Sequence, residues 1–185
     1  MPIRVAGGDA RGRVLQMPKG IRPSATKTRA AIFNILAARI PDAKVIDLYS
    51  GSGALGIEAL SRGAARVTFV ERDWACVSVL RQNLATAGYD KEAHLVTAEA
   101  KSWLLRRSPD LEVADVVLAD PPYGETELTA LVQALAETVP IGALVVVEHS
   151  CKSEPGPVQQ LAVVDRRRYG DSALTLFQRL GISLQ

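Results

Sequence analysis

Residues 120–123, Asp120-Pro121-Pro122-Tyr123, set a carboxylate, two prolines and a phenol in succession. Pro121 and Pro122 lack backbone N–H groups and push the residues before them into extended conformations, so the segment is rich in oxygen acceptors. Such a site suits an incoming amine. The amine of a nucleobase is a poor nucleophile, because its lone pair is delocalised into the ring. Asp120 and the Pro121 carbonyl can hold its N–H groups and free that pair. An ordinary carboxylate is a weak base toward a neutral amine, but the nitrogen becomes acidic as it is alkylated, and Asp120 can receive the proton late. Tyr123 can stack on an extruded base. A proline turn that merely ends a strand carries the same letters, so the reading depends on what surrounds it.

A second pattern lies upstream. Gly51-Ser52-Gly53-Ala54-Leu55-Gly56 fits G-x-G-x-x-G after an apolar strand and at the start of a helix, the context of a nucleotide-binding turn. Glu71 follows Gly51 by 20 residues and ends the next strand, where an acid accepts hydrogen bonds from ribose hydroxyls. Asp47, four residues before Gly51, helps to separate two adenosine cofactors. A carboxylate there repels a pyrophosphate seated on the helix N-terminus, and disfavours a nicotinamide dinucleotide. S-adenosylmethionine carries no phosphate, and its amino and sulfonium cations suit the acid. The alternative for Asp47 is a carboxylate tied to nearby backbone N–H groups. Glu99 likewise has two readings, a partner for an adenine amine or an acid favoured at a helix N-terminus.

The elements that position these groups alternate. Short apolar strands are predicted at 44–49, 66–71, 94–97, 114–119 and 142–149, with helices at 53–62, 74–87, 99–107 and 126–138 between them. This rhythm is that of an α/β fold, a parallel sheet with helices on both faces. Two further strands, 159–168 and 173–180, flank the turn Tyr169-Gly170-Asp171-Ser172, too closely coupled for a crossover helix, so the sheet ends antiparallel. Ahead of the sheet, Ile3–Val5 and Arg13–Met17 read as a hairpin around a glycine-rich cationic turn, followed by a helix over 25–39 that Pro41 ends.

Composition narrows the function classes. A chain of 185 residues, 48% hydrophobic and 23% charged, buries a full core without staples. No apolar stretch approaches the roughly 20 residues of a membrane span, and no signal-peptide run follows Met1, which predicts a cytoplasmic protein away from membranes. Cys76 and Cys151, and His94 and His149, stand in no metal-ligand spacing, so no metal is expected. The net charge of +2 is unevenly spread: residues 1–39 hold eight basic residues against Asp9 alone, a net of +7 on a body of −5. A basic arm on an acidic body fits a phosphate-binding attachment or, equally, a solvated cationic surface. Arg166-Arg167-Arg168 offers the same two readings.

Taken together, the motifs resemble the RsmD family, bacterial methyltransferases acting on the exocyclic N2 of one guanine in 16S ribosomal RNA. The resemblance is carried by Ile3-Arg4-Val5-Ala6-Gly7-Gly8, Arg11-Gly12-Arg13, Arg22-Pro23, Phe33-Asn34-Ile35-Leu36, the segment from Asp47 to Gly56, Glu58 to Ala64, Phe69 to Asp73, Asp120 to Tyr123 and Tyr169-Gly170-Asp171. It implies a class I S-adenosylmethionine-dependent methyltransferase (Rossmann-like) fold: a seven-stranded, mostly parallel sheet with an antiparallel last strand, plus the N-terminal hairpin and helix. Residues 1–40 would form an RNA-binding extension and 41–185 the catalytic domain of a monomer, acting on the small ribosomal subunit or an assembly intermediate. The implied cofactor contacts are Asp47, Ser50, Gly51, Gly53, Glu71, Arg72 and Glu99, the last at a place where the family has aspartate. The implied catalytic residues are Asp120, Pro121 and Tyr123, and the implied phosphate contacts Arg11, Arg13, Arg22 and Arg29. Rival readings are a DNA adenine or protein-glutamine methyltransferase, a nicotinamide dehydrogenase and a non-catalytic rRNA-binding assembly factor.

Overall fold

The computed structural model describes residues 3–18, 26–122 and 125–181. It opens with a two-stranded antiparallel hairpin, β1 (Ile3–Arg4) and β2 (Val14–Leu15), shorter than the predicted strands; past the end of β2, Gln16 pairs both backbone groups with the Asn83 side chain instead of a ladder partner. The first helix, α1 (Thr26–Ile35), stops short of the predicted 25–39, and the chain turns through 36–39 before the sheet begins.

Five parallel strands follow: β3 (Lys44–Leu48), β4 (Arg66–Glu71), β5 (Ala93–Thr97), β6 (Val116–Ala119) and β7 (Leu144–Ser150). The last two, β8 (Leu161–Tyr169) and β9 (Ser172–Arg179), make a hairpin in which β9, the last in sequence, pairs antiparallel with both β7 and β8. The order is β5-β4-β3-β6-β7-β9-β8, seven strands in one sheet. Between strands lie α2 (Ala54–Ser61), α3 (Trp74–Ala87), α4 (Ala100–Leu105), α5 (Pro109–Glu112) and α6 (Glu125–Thr138). The single turn α5 has no counterpart among the predicted helices. It is marked by a cap rather than a periodicity: Ser108 Oγ accepts from Leu111 N at 3.4 Å, and Pro109 holds the first helical position.

Side-chain parity sorts the core into two layers. Val45, Val67, Leu118, Val146 and Leu174 face a cluster shared with α1, α2, α3 and the hairpin. Ile46, Val70, Val117, Val145 and Phe177 face the cluster under α4, α5 and α6. Ile3, Val5, Leu15, Ile32, Phe33 and Leu36 belong to the first cluster, so the N-terminal arm contributes directly to the core of the sheet. The strand order reverses between β3 and β6, which opens a crevice beyond their carboxyl ends.

Candidate functional site

That crevice is a cleft of about 780 Å³, within the range of small-molecule sites. Its first wall is the glycine loop. Tyr49, Gly51 and Gly53 all take positive φ (59°, 53° and 80°), turning the chain sharply from β3 into α2. Gly53 N donates to Ser50 O at 2.7 Å and Ser50 Oγ to Asp47 O at 2.6 Å, locking the turn. A Cβ on Gly53 would lie 2.1 Å from Leu80 Cδ1, and one on Gly56 2.2 Å from Phe69 Cε1. The second clash shows why only glycine lets α2 close onto β4.

The carboxylates gather at the carboxyl edge of the sheet, where they line the cleft. Asp47 is fully buried and its Oδ2 accepts from Gly56 N at 2.9 Å, so it makes the backbone tie of its alternative reading while also lining the cleft. Burial pushes its carboxyl up to about 7; the Gly56 hydrogen bond opposes this, and the charges of Asp120 and Glu71 add to it. Glu71 accepts from Gly51 N at 2.8 Å and from Asp73 N at 2.9 Å, tying the glycine loop to the start of α3. Arg72 is exposed at the rim of the same cleft. Glu99 caps α4, accepting from Lys101 N at 3.0 Å and Ser102 N at 2.7 Å. Burial would raise its pKa, but those hydrogen bonds outweigh it and hold the carboxyl below its usual range.

Asp120, Pro121 and Pro122 line the cleft from the end of β6, beside the glycine loop. Tyr123 lies outside the described residues, as does Arg22. Arg11 and Arg13 are exposed on the hairpin loop, with Arg13 Nη1 donating to the Thr86 carbonyl. Arg29 departs from the surface position expected for a phosphate contact. It is 2% exposed, donates to Arg4 O at 2.6 Å and faces Glu58 at 3.8 Å. A guanidinium enclosed in this way is a strut between the arm and α2 and cannot reach solvent. In the Arg166-Arg167-Arg168 run, Arg166 and Arg167 pair with Glu154 and Asp165 at the surface.

Three residues outside the expected set also build this region. Asn83, buried in α3, holds Gln16 by both backbone groups, accepting from its N at 2.7 Å and donating to its O at 3.0 Å. It also donates to Ser52 O at 2.8 Å, which links the arm to the glycine loop. Glu58, fully buried, accepts from Ala6 N at 2.7 Å and Arg62 Nε at 2.8 Å. Glu148 lines the cleft from β7. The signal for all three was a polar residue at a core-facing position, in α2, α3 and the apolar run of β7.

The cleft has a decided charge: its described lining includes eight carboxylates and one arginine, Arg72. It also has two orphaned buried atoms, Tyr49 Oη and Glu148 Oε2, that lack a hydrogen-bond partner. An elongated cation with polar groups fits such a lining, whereas a pyrophosphate does not. Among the described residues no His, Cys, Asp and Glu cluster is arranged to hold a metal, and no helix is long and apolar enough to cross a membrane.

A family model described as conserved hypothetical protein 95 matches residues 3–178. The chain belongs to the RsmD family. Among RsmD relatives, the Ribosomal RNA small subunit methyltransferase D of Escherichia coli (strain K12) is 43% identical over 125 residues, 65% of this chain and 60% of that protein. YlbH of Bacillus subtilis, named as an rRNA methyltransferase, is 31% identical over 184 residues, 97% of this chain and 100% of that one. In structure, YhhF of Escherichia coli, described as a methyltransferase, superposes with a TM-score of 0.87 at 35% identity, covering 98% of this chain and 100% of that chain. An RNA methyltransferase from Salinibacter ruber in complex with S-adenosyl-L-homocysteine shares the fold at a TM-score of 0.70 and 18% identity, over 89% of this chain and 98% of that one. The RsmD chain thus has the class I S-adenosylmethionine-dependent methyltransferase fold, with its hairpin and α1 added at the front.

Proposed function

We propose that this chain methylates the exocyclic N2 amine of a guanine in 16S ribosomal RNA of the small subunit, using S-adenosylmethionine, and does so as a cytoplasmic monomer. The observation that carries the methyl-transfer reading is the joining, in one acid-lined cleft, of the glycine loop and Asp120-Pro121-Pro122. The RNA substrate is supported by the RsmD relatives' names and by the exposed Arg11 and Arg13 on the arm.

Asp47, Ser50, Gly51, Gly53, Glu71, Arg72 and Glu99 are the residues that would hold the cofactor, and Tyr49 Oη offers it an unmet donor. When bound, S-adenosylmethionine supplies an electrophilic methyl group on a sulfonium. Asp120 and the Pro121 carbonyl accept the amine N–H groups, which localises the nitrogen lone pair. Tyr123 stacks on the extruded base. Holding nucleophile and electrophile in line removes much of the entropic barrier. Arg11, Arg13 and Arg22 take phosphates and set the orientation of the RNA.

The test offers radiolabelled S-adenosylmethionine with unmodified small subunits, naked rRNA, duplex DNA and protein, then digests each and identifies the labelled species. N2-methylguanosine from subunits or rRNA is the expected product. N6-methyladenine in DNA or methylglutamine in protein would replace this reading, and absence of label from all four would favour an assembly factor. Asp120→Ala should abolish turnover while S-adenosylmethionine still binds in calorimetry.

A further inference from the structure

Glu148 has no role in the chemistry so far, yet its surroundings are those of a reacting group. The parallel register of β6 and β7 runs from Val116↔Leu144 to Ala119↔Val147, and one step further sets Asp120 opposite Glu148. Neighbouring strands lie about 4.8 Å apart, and side chains at laterally matched positions share a face. Leu118 and Val146, two residues back, both point to the cluster beneath the arm, so Asp120 and Glu148 project to that same side. Both line the cleft. Glu148 is 2% exposed, and its Oε2 has no hydrogen-bond partner.

Building on the methyl-transfer reading, we propose that Glu148 and Asp120 form a carboxyl pair that shares one proton at rest and takes up the proton released by the methylated amine. Two carboxylates at this spacing, Glu148 buried and Asp120 half-buried, cannot both ionise cheaply. Burial and, after it, the charge of Asp120 push Glu148 up to about 7, against a hydrogen bond from Ser172. The groups around the pair are mostly acidic. Asp47 on β3 acts on Asp120, and Asp171 lines the cleft at the β8–β9 turn. His149, next on β7, is turned to Thr175 Oγ1 at 2.9 Å, and the buried cation of α1, Arg29, is committed to Arg4 O and Glu58.

The proton count favours a singly charged pair. The nitrogen–methyl bond forms as the donor's carbon–sulfur bond breaks, with that electron pair remaining on sulfur. The nitrogen, now cationic, gives one proton to the pair, which becomes neutral and later returns the proton to water. The sulfonium charge and the pair's negative charge are lost together, so the reaction adds no net charge to a buried site. A doubly ionised pair would keep an uncompensated anion there.

The first test needs neither donor nor RNA. In protein labelled with 13C at glutamate carboxyls, the Glu148 resonance, assigned by its loss in Glu148→Gln, should titrate near pH 7 and fall by a unit or more in Asp120→Asn. Titration in the ordinary glutamate range, or no movement in Asp120→Asn, would overturn the pair while leaving methyl transfer standing. The second test is single-turnover methylation across pH on a substrate the wild type labels. Glu148→Gln should be about 100-fold slower, the lower end of the cost of a lost proton-transfer group, and lack the inflection near pH 7. Glu148→Asp should restore part of it. An unchanged pH profile in a folded Glu148→Gln would also sink the proposal, and if that variant does not fold, the comparison of wild type with Asp120→Asn decides.

Discussion

Glu58 and Arg29 face each other at 3.8 Å with side chains 1% and 2% exposed, an ion pair sealed between the N-terminal arm and α2. Glu58 also holds Ala6 N and Arg62, so its removal strands a buried guanidinium and frees the arm. Breaking a pair of this kind costs about 3–5 kcal/mol. Glu58→Ala should lower the urea midpoint accordingly and speed amide exchange at Ala6. Exchange at Ala6 as slow as in the wild type would show that the arm is held by its other contacts, the hydrogen bonds with Asn83 and Ser61 and the shared apolar core.

Acidity at Glu148 has a thermal signature. Its pKa in the folded chain is raised to about 7 from an unfolded value near 4.3, so the folded state binds the proton more tightly. The resulting stability is complete below about pH 4, declines as pH rises and is gone above about pH 7. Glu148→Gln removes that decline. Its Tm should exceed the wild-type Tm at pH 8, by about 2–4 °C for each kcal/mol recovered, and lose the advantage at pH 4. A gain independent of pH would mean that the effect is packing.

At Gly56 a methyl group has no room. A Cβ there would press on Phe69 at 2.2 Å and Val67 Cγ1 at 2.9 Å, so Gly56→Ala should cost about 1–3 kcal/mol through overpacking. The helix then backs away from β4 and carries the Asp47–Gly56 hydrogen bond with it. Chemical denaturation reads the first effect and donor affinity the second; an unchanged midpoint would show that Phe69 has somewhere to go.

Glu71 ties Gly51 and Asp73 together at the adenosine end of the proposed site. Calorimetry of Glu71→Ala with S-adenosylmethionine should show affinity weakened about 10–100-fold, the worth of one charged hydrogen bond. Wild-type affinity in the variant would move the ribose elsewhere.

The arginines of the arm divide into two kinds, and salt distinguishes them. Arg11→Ala with Arg13→Ala should flatten the dependence of RNA affinity on salt by about 0.7 for each phosphate that is no longer neutralised, leaving the fold intact. Arg29→Ala should reduce stability instead. If the doubly substituted arm keeps the wild-type salt slope, its charge is a solvated face.

Much of this was legible because strands advertise themselves by composition. The run Ala143-Leu144-Val145-Val146-Val147 reads as a strand covered on both faces, and Asp47, Glu71 and Asp120 stand out because each ends such a run. Glu148 obeys the same rule in Val146-Val147-Glu148, but its pairing with Asp120 depends on β6 and β7 being neighbours, a long-range fact with no local signature. Arg29 misleads for the same reason. A basic residue in a basic arm reads as surface, and only the tertiary partner Glu58, 29 residues away, turns it inward. Helix ends were the least legible, since α1 and α4 stop before their periodicity does.

The shared core of arm and sheet sets a limit on how this protein can be cut. Phe33 and Leu36 are completely enclosed, and they belong to the same apolar cluster as Val45, Val67 and Leu118 of the strands. A chain begun at residue 41 would bare a greasy wall of valines and leucines, inviting self-association. The arm proposed to grip nucleic acid is, in this molecule, also the cover of the apolar layer beneath it, so a fragment stripped of its arm is a species the chain is not built to release.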